Sequence, residues 1–76
     1  MKELLIYLVQ NLVSDPASVS VQQSEKGDEI VFSLRVAPDD MGKVIGRHGR
    51  IAKEIRTLMK SVGNRADKKV SVEIVD

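Results

Sequence analysis

The stretch of sequence that decides the fold lies at residues 44–50 and reads VIGRHGR. Its two glycines, Gly46 and Gly49, lack a Cβ, which permits a tight turn and a close approach by another backbone. Gly49 is also predicted to open a helix, whose free N–H groups and positive dipole end attract anions. Arg47 adds a donor fork suited to phosphate oxygens, and His48 adds a donor without negative charge. The pattern therefore predicts a phosphate-binding loop.

Two glycines separated by two residues are also typical of an ordinary turn between helices. Three features of the context favour a binding loop here. The helix before the glycines is very short, the helix after them starts at Gly49 itself, and a predicted strand lies on each side of the helix pair. We therefore interpret residues 46–49, called the glycine loop below, as a ligand-binding element.

Toward the N-terminus, residues 2–13 predict an amphipathic helix, which a Ser-Asp-Pro tripeptide at residues 14–16 ends. Its apolar residues cover an arc of about 140°, which Ile6 and Val13 widen to roughly 200°. A helix that packs through one face normally needs a narrower apolar arc than this. Two interpretations stay open: a well-buried helix on a sheet, and a helix that also packs against a second subunit. The residues of the narrower arc are Leu4, Leu5, Leu8, Val9 and Leu12.

Alternation of apolar and polar residues predicts three strands. The first is a half-exposed strand near residues 19–22, followed by a glycine-containing turn at residues 25–28. Residues 30–36 alternate strictly and form the clearest strand, which Pro38 stops. The last strand covers residues 70–75.

Two helices are predicted between the second and third strands. Asp39 or Asp40 is expected to cap a short helix that ends near Ile45. The next helix runs from residue 49 to 62, and Gly63-Asn64 is expected to end it because both residues tolerate a left-handed backbone.

The resulting order is helix, strand, strand, helix, helix, strand. It predicts an α+β fold in which the helices pack on one face of a three-stranded sheet. A chain of 76 residues holds one domain, residues 1–76, and buries only about 60% of the surface exposed in its unfolded form. Association often supplies the missing stability of so small a domain. Since the chain has no cysteine, disulfides and thiolate metal sites are excluded.

Charge is distributed unevenly along the chain. The net charge is +1, but residues 1–38 carry −2, residues 39–69 carry +5 and residues 70–76 carry −2. A concentrated basic segment is the electrostatic feature expected of a phosphate-binding surface.

The helix after the glycine loop has one apolar face and one almost purely basic face. A charged outer face is typical of any solvated helix, but such a face usually mixes both signs. Here only Glu54 is acidic. We therefore favour a basic surface that follows a nucleic-acid backbone. Its members are Arg50, Lys53, Arg56 and Lys60.

The scarcity of aromatic residues limits the mode of recognition. The chain has Tyr7, Phe32 and no tryptophan, so it lacks the several stacking platforms of an RRM, OB-fold or cold-shock surface. Bases would instead lie in an aliphatic groove while a glycine loop holds the backbone, which is how KH domains bind about four nucleotides.

The N-terminal segment MKELLIYLVQNLV does not resemble a signal peptide, because Glu3 balances Lys2 and no small-residue cleavage site follows. It is also shorter than the roughly 20 apolar residues that span a bilayer. We expect a soluble, cytoplasmic protein without membrane insertion.

The sequence is similar to a known family. Residues 44–50 look like the V-I-G-x-x-G core of a KH domain, and the element order resembles the type II arrangement. The run from Val36 to Met59, VAPDDMGKVIGRHGRIAKEIRTLM, is similar to the KhpA family of short bacterial single-KH proteins. The earlier stretch LVSDPASVSV fits that family too, so the likeness covers essentially the whole chain.

The resemblance implies binding of single-stranded RNA with broad specificity, as an RNA chaperone or post-transcriptional regulator. It also implies a homodimer, a heteromeric complex with a KhpB/Jag-type RNA-binding protein, and a role in cell-wall and cell-shape control.

The resemblance also implies roles for individual residues. Gly46 and Gly49 frame the clamp, while Arg47 and His48 face the phosphates. The remaining RNA-binding candidates line the groove floor or surround it, and they are Ile45, Ala52, Lys43, Arg50, Lys53 and Arg56. Many KH domains have isoleucine where this chain has Ala52, so we expect a shallower groove that discriminates bases less well.

Other functions remain as alternatives. The two central helices could form a helix-turn-helix that reads duplex DNA, although the first helix is short for such a reader. The chain could also be a dimerisation module whose partner supplies most RNA binding. An enzyme is not expected, because His48 has no nucleophile arrangement beside it and Asp39 and Asp40 point apart. The motif G-x-x-x-x-G-K-[ST] is absent, and no cofactor is expected.

Overall fold

A computed structural model describes residues 1–75. Its helices and strands follow the predicted order: α1 (Lys2–Gln10), β1 (Ser20–Lys26), β2 (Glu29–Arg35), α2 (Met41–Ile45), α3 (Arg50–Arg65) and β3 (Lys69–Val75). Within the described residues, no helix has the length and apolar character needed to cross a membrane.

The three strands form a mixed sheet in the order β1-β2-β3. β1 and β2 pair antiparallel through a two-residue turn, in which Gly27 has a φ of +65°. β2 and β3 pair parallel, with Phe32 opposite Val72. Parallel neighbours require a connection that crosses over the sheet, and α2 and α3 make that connection here.

The core lies between the sheet and the helices, which confirms the predicted α+β arrangement. Alternate residues of β2 are buried, and Phe32 and Leu34 are fully so. The helices contribute side chains from one face each: Leu5 and Val9 of α1, Val44 of α2, and Ile55 and Met59 of α3. This common face is why the strict alternation of β2 gave the clearest strand signal.

The prediction that the first helix reaches residue 13 was wrong, because α1 ends at Gln10. The amide side chain of Asn11 donates a hydrogen bond of 2.7 Å to the Tyr7 carbonyl, and its backbone N–H donates to the same oxygen. Asparagine competes in this way with the regular helix ladder. Val13 lies outside the helix but still packs against the core.

β1 is longer than predicted, since it continues through Gln22, Gln23 and Ser24 to Lys26. This half of the strand is exposed on both faces, so its sequence shows no alternation of apolar and polar residues. Backbone pairing with β2 holds it as a strand, from Gln22 opposite Ser33 to Lys26 opposite Glu29.

The predicted end of the last helix was also wrong. α3 continues past Gly63 to Arg65, and the left-handed residue that follows the helix is Asp67, at φ +56°. Gly63 is buried inside the helix, where a Cβ would lie 2.4 Å from Cγ2 of Val70 and 2.9 Å from the carbonyl oxygen of Lys68. Its role is therefore close packing of α3 on β3 rather than helix termination.

The Gly63→Ala substitution should destabilise the protein by about 1–3 kcal/mol, because the new methyl group overlaps Val70 and the Lys68 carbonyl. Gly42→Ala is the matched control. Gly42 also lies in a helix, α2, but a Cβ there meets nothing within 4 Å among residues 1–75. That variant should be neutral or gain up to about 1 kcal/mol from helix propensity. Urea denaturation of both variants measures the difference, and equal stabilities would contradict the packing role.

Candidate nucleic-acid interface

The glycine loop is a single tight turn between α2 and α3. The Gly46 N–H donates to the Gly42 carbonyl at 2.9 Å, which closes α2, and the Gly49 N–H donates to the Gly46 carbonyl at 3.2 Å. Three of its four residues have positive φ: Gly46 at 75°, His48 at 56° and Gly49 at 72°. α3 begins at the next residue, so the predicted opening of a helix at the loop is confirmed.

The two glycines have different physical roles. A Cβ on Gly46 would lie 2.4 Å from Cγ1 of Ile51, so this position requires glycine for space as well as for its backbone angle. A Cβ on Gly49 would meet nothing within 4 Å among residues 1–75, so glycine is favoured there by the left-handed backbone alone. The resulting turn leaves the side chains of Arg47 and His48 exposed.

α3 separates two surfaces with different chemistry. Toward β3 lies Arg56, whose Nε–H donates a 3.2 Å hydrogen bond to the Val72 carbonyl. Lys53 and Lys60 lie within 60° of Arg56 on the helix and are exposed. Toward α1, Leu58 joins four other apolar residues and Glu54 around a shallow hollow of about 180 Å³. The apolar residues are Leu8, Leu12, Ile51 and Ile55.

The other predicted site residues differ in exposure. Ile45 is 39% exposed at the end of α2, directly before the loop, whereas Ala52 is buried in the first turn of α3. Arg50 is exposed beside the loop. Lys43 is the exception among the basic candidates, because its ammonium group donates to the Ser14 hydroxyl and lies 3.4 Å from Oδ1 of Asp40. Its charge is thus already partnered inside the protein.

Asp40 holds the start of α2 against the segment that follows α1. The carboxylate is buried and accepts hydrogen bonds from the backbone N–H groups of Ser14, at 3.1 Å, and Asp15, at 3.0 Å. The expectation that Asp39 or Asp40 caps α2 with its side chain was therefore wrong. Asp40 occupies the N-cap position, but its oxygens are taken by residues about 25 positions earlier in the chain.

These contacts also set the protonation of Asp40. The hydrogen bond from the Ser14 N–H lowers the pKa of the carboxyl group below its usual range, and the Asp15 N–H and Lys43 act in the same direction. Desolvation raises the pKa and offsets part of this effect. The sequence around Asp40 did not indicate these hydrogen bonds, because Ser14 and Asp15 lie in the segment after α1, far from Asp40 in the chain.

The mixed sheet, the crossover helices and the glycine loop between them define a KH domain with the type II element order. A model of the KH domain of KhpA and KhpB matches residues 2–74. The chain therefore belongs to the KhpA/KhpB KH-domain family.

Similar proteins support the assignment over the full length. The RNA-binding protein KhpA of Listeria monocytogenes is 43% identical over 76 residues, which is the whole of both chains. KhpA of Chlamydia trachomatis is 46% identical over all of this chain and 97% of its own. KhpA of Clostridium perfringens is 47% identical over 99% of this chain and 100% of its own.

Solved structures of Era contain the same fold. An Aquifex aeolicus Era variant bound to GDP and aluminium fluoride superimposes with a TM-score of 0.61 at 22% identity. Era in complex with MgGDPNP and nucleotides 1506–1542 of 16S ribosomal RNA gives 0.59 at 19% identity. Each match covers 96% of this chain but only 28% of the Era chain.

The Asp40→Asn substitution should lower the Tm by several degrees at pH 7. The amide has one acceptor oxygen for the two backbone N–H donors, and it lacks the negative charge that pairs with Lys43. Because the folded-state pKa of Asp40 is lowered, its contribution is complete above the unfolded-state value of about 3.9 and is lost as the pH falls through the folded-state pKa. The difference in Tm between the two proteins should therefore shrink below about pH 4.

Asp39→Asn is the matched control, because Asp39 is an exposed carboxylate next to Asp40 in the chain. Its Tm should stay within about 2 °C of the unsubstituted protein, as expected for a surface change. Thermal unfolding followed by circular dichroism from pH 3 to 8 checks both variants. A pH-independent deficit in the Asp40 variant would show that the carboxylate charge is not what matters.

Proposed function

We propose that this chain binds single-stranded RNA, with the glycine loop as a clamp on the sugar-phosphate backbone. The observation that carries the proposal is the bent loop itself. It presents Arg47 and His48 to solvent directly before α3, whose exposed basic residues continue away from it. The relatives at 43–47% identity are named RNA-binding proteins, which supports the same ligand here.

Backbone contact, rather than aromatic stacking, accounts for binding in this proposal. Phe32 is fully buried in the core, and Tyr7 lies on α1. Neither aromatic belongs to the loop, to α2 or to α3, so stacking cannot provide the affinity at the clamp. Ile45 and the first turn of α3 around Ala52 supply the aliphatic floor, with Arg50 and Lys53 near the phosphates and Arg56 farther along α3, beside β3. Lys43 contributes less than these, since Asp40 and Ser14 already hold its charge.

The alternative hypothesis, a helix-turn-helix that binds duplex DNA, is less well supported than binding of single-stranded RNA. α2 has five residues, little more than one turn, whereas a helix-turn-helix needs a supporting helix that crosses the DNA backbone. We therefore expect single-stranded RNA to displace a bound probe far better than duplex DNA.

The double substitution Arg47→Asp with His48→Asp should reduce RNA affinity at least about 30-fold, because two carboxylates then face the phosphates and a cation is lost. The fold should survive, since aspartate is among the residues that tolerate the left-handed backbone of position 48. The control is Ser24→Asp with Lys26→Asp, an equal change in charge at exposed positions of β1.

Fluorescence anisotropy with a labelled single-stranded RNA of about 12 nucleotides measures both variants, and circular dichroism checks their folding. Equal losses in the two variants would make binding a matter of net charge alone. Unchanged affinity in the loop variant would transfer the RNA binding to a partner protein, and stronger competition by duplex DNA would overturn the clamp.

A second surface supports self-association into a homodimer. Four large apolar side chains are between 37% and 65% exposed on α1, just after it and on α3: Leu4, Tyr7, Leu12 and Leu58. Leu12 and Leu58 line the same hollow between α1 and α3, and grouped exposed apolar side chains mark interaction surfaces. Beside Leu58, α3 carries the polar residues Glu54, Thr57 and Ser61, which form a polar rim for an apolar interface between two copies related by a twofold axis.

The same surface is available to a partner with the same fold. Because one family model describes the KH domains of both KhpA and KhpB, a KhpB/Jag-type protein would offer a similar helical face for a heteromeric complex. In this proposal the chain acts in the cytoplasm as a non-catalytic RNA chaperone or post-transcriptional regulator, with effects on cell-wall growth and cell shape. The cysteine-free composition suits a reducing compartment.

Leu58→Asp should convert the dimer into a monomer, since a desolvated carboxylate at the centre of an apolar interface is strongly unfavourable. Sedimentation equilibrium should give twice the 8.4 kDa chain mass for the unsubstituted protein and a single chain mass for the variant. Val75→Asp, on the opposite face of the sheet, should remain dimeric. A monomeric unsubstituted protein at all concentrations would contradict self-association and leave the surface to a heteromeric partner.

A further inference from the structure

β3 is an edge strand, and its outer side lies beside α3. In the described residues β3 pairs with β2 alone, so its other edge has no strand neighbour. One acceptor on this strand, the Val72 carbonyl, receives the 3.2 Å hydrogen bond from Nε of Arg56. A ligand that reaches this point therefore meets the guanidinium group in place of a free carbonyl oxygen.

The bond to Val72 fixes which donors the guanidinium group offers. Arginine has five N–H donors in one rigid plane and no acceptor. With Nε–H directed to Val72, the four N–H bonds of the two terminal nitrogens remain. The ion pairs formed among residues 1–75 join Met1 to Glu3 and Lys43 to Asp40, so no carboxylate of the described chain neutralises Arg56. The group is held in place and still able to donate.

Two parallel N–H donors select bases that present two adjacent acceptors. Guanine has O6 beside N7, and cytosine has O2 beside N3. Adenine places its donating amino group beside both N1 and N7, and uracil has a donating N3–H between its two carbonyls. Cytosine and guanine are therefore the bases that fit the donor pair.

Arg56 is also within reach of a strand held by the glycine loop. It lies seven residues after Gly49 on a continuous helix, a rise of about 10 Å. A clamp that holds about four nucleotides spans more than this, even at the 3.4 Å per nucleotide of a stacked strand.

We propose that Arg56 is the specificity-determining residue of the RNA site, and that its Val72-anchored guanidinium group selects cytosine and guanine over adenine and uracil. The proposal rests on the clamp function proposed above for the glycine loop. It adds a direction of base preference to the proposed backbone clamp.

The test compares short RNA oligomers on the unsubstituted protein. Octamers of cytidine should bind about tenfold tighter than octamers of adenosine or uridine, the discrimination expected of one bidentate contact. A uridine octamer with one central guanosine should also gain about tenfold over the uridine octamer. Replacing that guanosine by 7-deazaguanosine, which lacks N7, should remove most of the gain.

Two matched variants assign the preference to Arg56. Arg56→Lys keeps the charge but replaces the planar fork by a single ammonium group, so the cytidine preference should fall below about twofold while adenosine binding stays unchanged. Arg50→Lys makes the same chemical change at the first residue of α3, about 120° around the helix from Arg56, and should keep the preference.

The outcomes separate this inference from the clamp. If the unsubstituted protein binds all octamers equally, or if Arg56→Lys keeps the full preference, Arg56 does not determine specificity although the clamp stands. If no octamer binds, the proposed RNA clamp itself is wrong. A uniform loss of affinity for every octamer in Arg56→Lys, without a change in preference, would also overturn the inference, because it would show a role in structure or charge only.

Discussion

The parallel pairing of β2 with β3 is the constraint on which the rest of the structure depends. Parallel neighbours cannot be joined by a hairpin, so the chain must leave the end of β2, cross the sheet and return to its start. Residues 36–68 make that crossing as two helices. Since both helices must cover the same sheet face, the link between them has to be very tight. The glycine loop, with three residues at positive φ, is that link, and its turn leaves the side chains of Arg47 and His48 exposed.

The crossover also explains why α3 divides the surface into two parts. One side of the helix lies along the open edge of β3, and the other side shares a shallow hollow with α1. Basic residues occupy the first side, and apolar residues such as Leu58 occupy the second. A domain this small has few faces. In the proposed function, RNA occupies the first side and a protein partner the second, so neither ligand has to displace the other.

The sequence predicted those features that depend on neighbouring residues. The alternation in β2 follows from a sheet with one buried face, and the loop was predictable because two glycines stand between a very short helix and an amphipathic one. Contacts between distant segments were not predictable. Asp40 reads as a helix cap until Ser14 and Asp15 are placed beside it, and Gly63 reads as a helix end until Val70 is packed against it. The anchoring of Arg56 on Val72 likewise requires the strand to be placed beside the helix.

The open edge of β3 has a consequence for the behaviour of the protein in a crowded solution. An exposed strand edge is a template on which strands of other molecules can add, and natural proteins protect such edges with charged side chains. The guanidinium group of Arg56 sits on the Val72 carbonyl in the middle of this edge, where an incoming strand would need that acceptor. A single arginine thus gives the sheet a positively charged boundary. The edge that is proposed to face RNA thus carries a charge that disfavours the addition of another polypeptide strand.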